Sequence, residues 1–200
     1  MSIVLKTPPA LEPITLAEAK AHLRVDASDE DNYIAALIQA ARATIEAWEW
    51  RSHITQTWEL RLDAFPSGSW PIYVPRPPLQ SVTSPIAYID ANGVAQSLLA
   101  AKYDVDSKSE PGRIKPIYGE VWPTTRPGIL NAVTVTYVAG YGAAAASVPA
   151  RTKHAIKLLV GLWYEQREPI VTGTISTRIP DTIEALLLPV HSWRVLEGVA

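Results

Sequence analysis

The sequence predicts an α+β protein: a small helical bundle drawn from both chain ends, with an antiparallel β domain inserted between them. Three observations predict it. Near both ends, apolar residues recur at intervals of three and four, the spacing of one helix face. Between residues 53 and 142 the spacing changes to alternation, as in strands whose side chains point to opposite faces. That middle stretch also holds most of the 17 prolines, which interior helical turns do not tolerate. The predicted division is therefore a discontinuous helical core, residues 1–52 and 143–200, around a β insertion at 53–142.

The first helix begins at Thr15. Thr15-Leu16-Ala17-Glu18 has the spacing of a capping box, in which the hydroxyl accepts from the Glu18 backbone and the Glu18 carboxylate reaches back. Leu16, Ala19 and Leu23 share its inner face, and Pro8, Pro9 and Pro13 predict an extended entry arm. A second helix follows, with Ser28 or Asp29 as its cap and acids in its first turn, where the helix dipole favours them. Ile34, Leu37, Ile38, Ala41, Ile45 and Trp48 form its apolar stripe.

Past Trp50 the period is two. Trp58, Leu60 and Leu62 alternate with polar neighbours, and Val133, Val135 and Tyr137 repeat the pattern near the end of the insertion. Ile72 to Val74 lies between Pro71 and Pro75, which predicts an edge strand. Ile86 to Ile89, then Asn92-Gly93, then Val94 onward reads as a hairpin. Tyr103 to Val105 and Arg113 to Lys115 are weaker strands. Helical spacing returns after Pro149 through Ile156, Leu159, Val160 and Trp163, and a last short helix is predicted from Pro180 to Leu188.

Composition narrows the function. A chain of 200 residues with 48% hydrophobic and 19% charged residues is too apolar for disorder. No run approaches the roughly 18 apolar residues of a membrane span. The N-terminal residues lack the pattern of a signal peptide, so the expectation is a soluble protein made in the cytoplasm. With no cysteine, disulfides, thiolate nucleophiles and cysteine-ligated zinc are excluded. A net charge of −2 offers no broad attraction for nucleic acid.

Nothing in the motifs points to catalysis or to a cofactor. His22, His53, His154 and His191 lack metal-ligand spacing, and no nucleophile elbow or phosphate-binding loop occurs. Asp29-Glu30-Asp31 is explained by the helix dipole, and a glycosidase would need two facing acids, for which Asp104 and Asp106 are weak candidates. The tryptophans are more telling. Trp48, Trp58 and Trp163 fall on inward faces. Trp70 and Trp122 sit beside prolines in loops, either covering the sheet edge or offering a surface contact. Trp193, in a tail beyond the final helix, is suited to anchor in a partner's pocket.

Several segments carry a resemblance. Glu12 to Asp26, Asp29 to Ala47, Ile54 to Leu60, Pro75 to Val82, Tyr137 to Gly142 and Ala155 to Glu168 together resemble the phage head–tail connector (adaptor) family, in its long form with a β insertion. Related proteins occur in phage-like gene transfer agents. The resemblance implies a structural, non-enzymatic virion protein: a dodecameric ring between portal protein and stopper, continuing a channel that passes double-stranded DNA without reading its sequence. It implies a place in the particle neck and assembly in the bacterial cytoplasm, without cofactor, metal or membrane. It also implies that the C-terminal segment reaches the portal, which here would engage Pro189, His191, Trp193, Arg194 and Leu196. The alternatives are a tail-completion protein, or a carbohydrate- or peptide-binding β module using Trp70 and Trp122.

Overall fold

The computed structural model describes residues 1–167 and 181–188. In chain order the elements are β1 (Ser2–Thr7), α1 (Leu16–Leu23), α2 (Asp31–Glu49), β2 (Gln56–Leu62), β3 (Ile72–Val74), β4 (Leu79–Val82), β5 (Ile86–Ile89), β6 (Ala95–Leu98), β7 (Tyr103–Asp106), β8 (Gly112–Pro116), β9 (Val133–Ala139), α3 (Ala150–Glu165) and α4 (Asp181–Leu187). They form two compact units. Among the described residues, one is helical, built on residues 10–54, 142–167 and 181–188; the other contains residues 1–9 and 55–141 and is β-structured.

In the helical unit, the predicted capping box opens α1. Glu18 N donates to Thr15 Oγ1 at 3.1 Å, and Thr15 N donates to Glu18 Oε2 at 2.8 Å. That backbone bond is the main reason the Glu18 carboxyl lies below its ordinary range. α1 ends at Arg24 and α2 at Trp50, both in left-handed conformations that glycine usually supplies. The cap of α2 is Glu30, rather than Ser28 or Asp29, and its side chain makes no capping bond. Pro149 likewise stands at the cap of α3, one residue before the first turn.

The buried stripe of α2, Ile34, Ile38, Ala41 and Ile45, packs with Ala155, Ile156, Leu159 and Val160 of α3. Ala19 of α1 and Ile183 and Leu187 of α4 complete the core. Trp48 and Trp163, expected inside, are only partly buried and pack against this core from its margin. Alanine, isoleucine, valine and leucine side chains fill the centre, and the larger indoles sit at its margin.

The β unit has two sheets. The larger runs β1-β2-β9-β5-β6, with β4 also paired to β9. β9 is its spine: β2 pairs along one side from Gln56↔Ala139 to Leu62↔Val133, while β4 and β5 share the other. Its burial alternates strictly, with Val133, Val135, Tyr137 and Ala139 inward. The smaller sheet, β3-β8-β7, is antiparallel, with the proline-flanked β3 at an edge as predicted. The two sheets meet at Gly112, where a β-carbon would lie 2.6 Å from Leu79 Cβ.

Two features depart from the sequence reading. Ser2–Thr7 is a strand paired with β2, so the first residues belong to the β unit and not to the helical end. The Asn92-Gly93 hairpin forms between β5 and β6, but its loop spans Asp90 to Val94 rather than two residues. Asp90 holds it: Oδ1 accepts from the backbone N–H groups of Asn92 and Val94, both at 2.9 Å. Glycine is required at Gly93, whose φ is +85°.

Candidate docking surfaces

Trp70 and Trp122 have opposite fates. Trp122 is buried, stacked on Phe65 with ring centroids 4.9 Å apart. It is therefore not the surface contact the sequence suggested. Phe65 is close enough to fill the space beneath it, and Tyr88 meets Phe65 edge-on. From inside, Trp122 ties two loops together: its backbone N donates to Gly68 O at 3.1 Å and its Nε1 to Trp70 O at 2.7 Å. Trp70 itself is 71% exposed, and Val121, beside Trp122 in the second loop, is 66% exposed. A braced apolar pair of this kind suits protein contact, because the loop order is set before any partner arrives.

Pro189, His191, Trp193, Arg194 and Leu196 lie outside the described residues. Of the remaining histidines, His22 and His154 are exposed and His53 is fully buried. His53 belongs to a polar cluster that periodicity did not reveal. Its Nε2 lies 2.5 Å from Glu49 Oε2, and its backbone N donates to Glu46 Oε1 at 2.7 Å. Arg42 bridges Glu46 and Glu12, at 2.7 Å each. The cluster clamps the turn that leaves α2, joining it to the arm before α1. Its signal in the sequence was Glu49 followed by the polar run Arg51-Ser52-His53 at the end of an amphipathic helix.

A second clasp joins the start of α2 to the end of α3. Tyr164 and Arg167 both donate to the Glu30 carboxylate, and the Arg167 guanidinium lies 4.8 Å from the Tyr33 ring centre and 5.2 Å from that of Tyr164. The bond from Tyr164 is the main cause of a lowered carboxyl at Glu30, with Arg167 next; the same bond raises the Tyr164 hydroxyl.

The acids weighed for glycoside chemistry sit at a shallow cleft of about 360 Å³, lined by residues that include Ser69, Asp104, Asp106, Arg113 and Lys115. Asp106 accepts from Ser109 Oγ at 2.6 Å and from Arg113 Nη2 at 2.6 Å. Those bonds, Ser109 first, hold its carboxyl far below the ordinary range, the wrong direction for a general acid. Asp104 faces Lys115 across the ladder. Among the described residues no three His, Cys, Asp or Glu side chains are grouped to hold a metal, and no helix is long and apolar enough to cross a membrane.

Comparison with known proteins extends this picture. The model of the phage gp6-like head–tail connector proteins matches residues 13–92, which span α1, α2 and the first strands of the β unit. No curated protein sequence matches. Among solved structures, a chain from the neck of an empty gene transfer agent particle, computed with C6 symmetry, is 27% identical with a TM-score of 0.79. A chain from the virion of a native particle is 26% identical (0.78), as is one from a native neck computed with C12 symmetry (0.76). In each case 99% of both chains is covered. With residues 13–92 matched by the connector model and the fold kept from end to end in gene transfer agent neck chains, this protein resembles the head–tail connector family and is a structural virion protein.

Proposed function

We propose that the protein is a head–tail adaptor: a ring in the particle neck, seated on the portal and followed by the stopper, through which double-stranded DNA passes. The observation that carries this reading is the end-to-end likeness to neck chains of a particle computed with twelvefold symmetry. The chemistry is compatible. No catalytic constellation stands among the described residues, and a net charge of −2 gives no cationic grip that would retard a polyanion. A ring also repeats one modest contact around a closed circle, and many such contacts dock together on a ring-shaped partner.

The portal contact is assigned to the segment after Leu188, with Trp193 and Arg194 as its anchors, together with Pro189, His191 and Leu196. Tryptophan and arginine are the residue types that most often dominate binding energy in protein interfaces. The test is electron cryomicroscopy of particles produced with and without this chain. Expected is a ring of density between portal and stopper that vanishes with the chain, leaving DNA-filled heads without tails. Density at the tail-tube side of the neck would favour a tail-completion protein instead, and normal necks without the chain would overturn the reading.

A further inference from the structure

The larger sheet has two unlike open edges, and they are level. A single row of backbone partners crosses it, Ser2↔Arg61↔Thr134↔Ala87↔Ser97, from β1 on one edge to β6 on the other. Among the described residues neither outer edge has a strand partner. Natural sheets guard such edges with charge, proline or short length. β6, Ala95-Gln96-Ser97-Leu98, carries neither charge nor proline, and three of its four residues are exposed. β1 is six residues long, with Val4 43% and Leu5 42% exposed. Its one charge, Lys6, is engaged by Glu59 at 3.0 Å.

We propose that β6 of one copy pairs with β1 of the next, so that the ring contact continues the sheet from subunit to subunit. This rests on the ring reading above and adds the surface that closes it. The complement of an open strand edge is another strand, and the chain supplies both halves. A contact between unlike edges is head-to-tail, the kind that generates rings, whereas β1 against β1 stops at a two-fold dimer. Every neighbouring pair along the path from β1 to β6 is antiparallel. Across its five strands, β1 and β6 therefore run in the same direction, and copies related by a small rotation join them in parallel.

The absence of cysteine makes disulfide trapping clean. Val4→Cys is combined in turn with Ala95→Cys, Ser97→Cys and Leu99→Cys. All four positions are exposed and lie an even number of rows from Ser2↔Ser97, hence on one face. The three pairings scan the register. Particles assembled with each variant are oxidised mildly and run on non-reducing gels, after the wild-type chain has been scored for presence in necks. Expected is a ladder of dimers, trimers and longer species in at least one double variant, with single variants remaining monomeric. Dimers from Val4→Cys alone would replace the proposal with a like-edge contact. If the chain is present in necks but no pairing crosslinks, edge pairing falls and the ring reading stands. If the chain is absent from necks, both fall.

Discussion

Trp122 shapes a surface from which it is itself hidden. Its ring stacks on Phe65 and its Nε1 holds the Trp70 carbonyl, so removing it opens the core and loosens a loop at once. Trp122→Ala is expected to cost about 3–5 kcal/mol in urea unfolding, the usual loss for a large buried aromatic. Trp122→Phe, which keeps a stack and loses the bond, should cost about 1 kcal/mol from that bond. Trp163→Ala should cost clearly less than Trp122→Ala, because Trp163 lies at the rim of its core and water can fill the notch it leaves. Equal losses at the two sites would contradict this placement. Both Trp70 and Trp122 have a proline at the next position, so local sequence offered the same signal for each. Trp122 became buried by stacking on Phe65, a residue distant from it in the chain, while Trp70, only five positions from Phe65, stayed exposed.

At the scale of elements, β1 is held by backbone pairing and by one charged contact. Lys6, and then Arg61, keep the Glu59 carboxyl below its ordinary range. A carboxyl depressed in the folded state stabilises fully above its unfolded value, near 4.3, and that contribution fades as pH falls from there through the folded value. Urea midpoints measured from pH 6 down to pH 3 should therefore drop in the wild type. Glu59→Gln should lower the midpoint at pH 6 and flatten part of the fall; an unchanged slope would show that Glu59 has no share in it. Gly112 offers a second test of element packing. Its missing side chain lets β8 approach Leu79 of β4, and Gly112→Ala should cost about 1–3 kcal/mol through overpacking. Ordinary melting behaviour in that variant would mean the sheets can separate freely there.

For the whole molecule, the docking role assigned to the tail separates folding from attachment. A chain ending at Leu188 is expected to keep the far-ultraviolet circular dichroism of the full protein, since it retains every described element. The same chain should fail to sediment with portal-bearing heads in a pull-down. Normal attachment by the shortened chain would remove the tail from the portal contact. At this scale the resemblance read from segments such as Glu12 to Asp26 agreed with the connector model, which matches residues 13–92, and the neck chains carry the likeness along the rest of the chain. Composition could not have supplied that answer, because a scaffold protein has no reactive cluster to recognise.

Periodicity and capping were sufficient for the α+β class, the stripes of α2 and α3, the strict alternation of β9, and the edge position of β3, because each depends on residues close in the chain. Tertiary structure alone decided the rest. β1 became a strand by pairing with β2, the αL ends at Arg24 and Trp50 carried no glycine to announce them, and the Arg42–Glu46–His53 cluster forms only where the chain turns back on itself. Burial is a property of distant neighbours. A sequence window holds the propensity of a segment but not the partner that completes it.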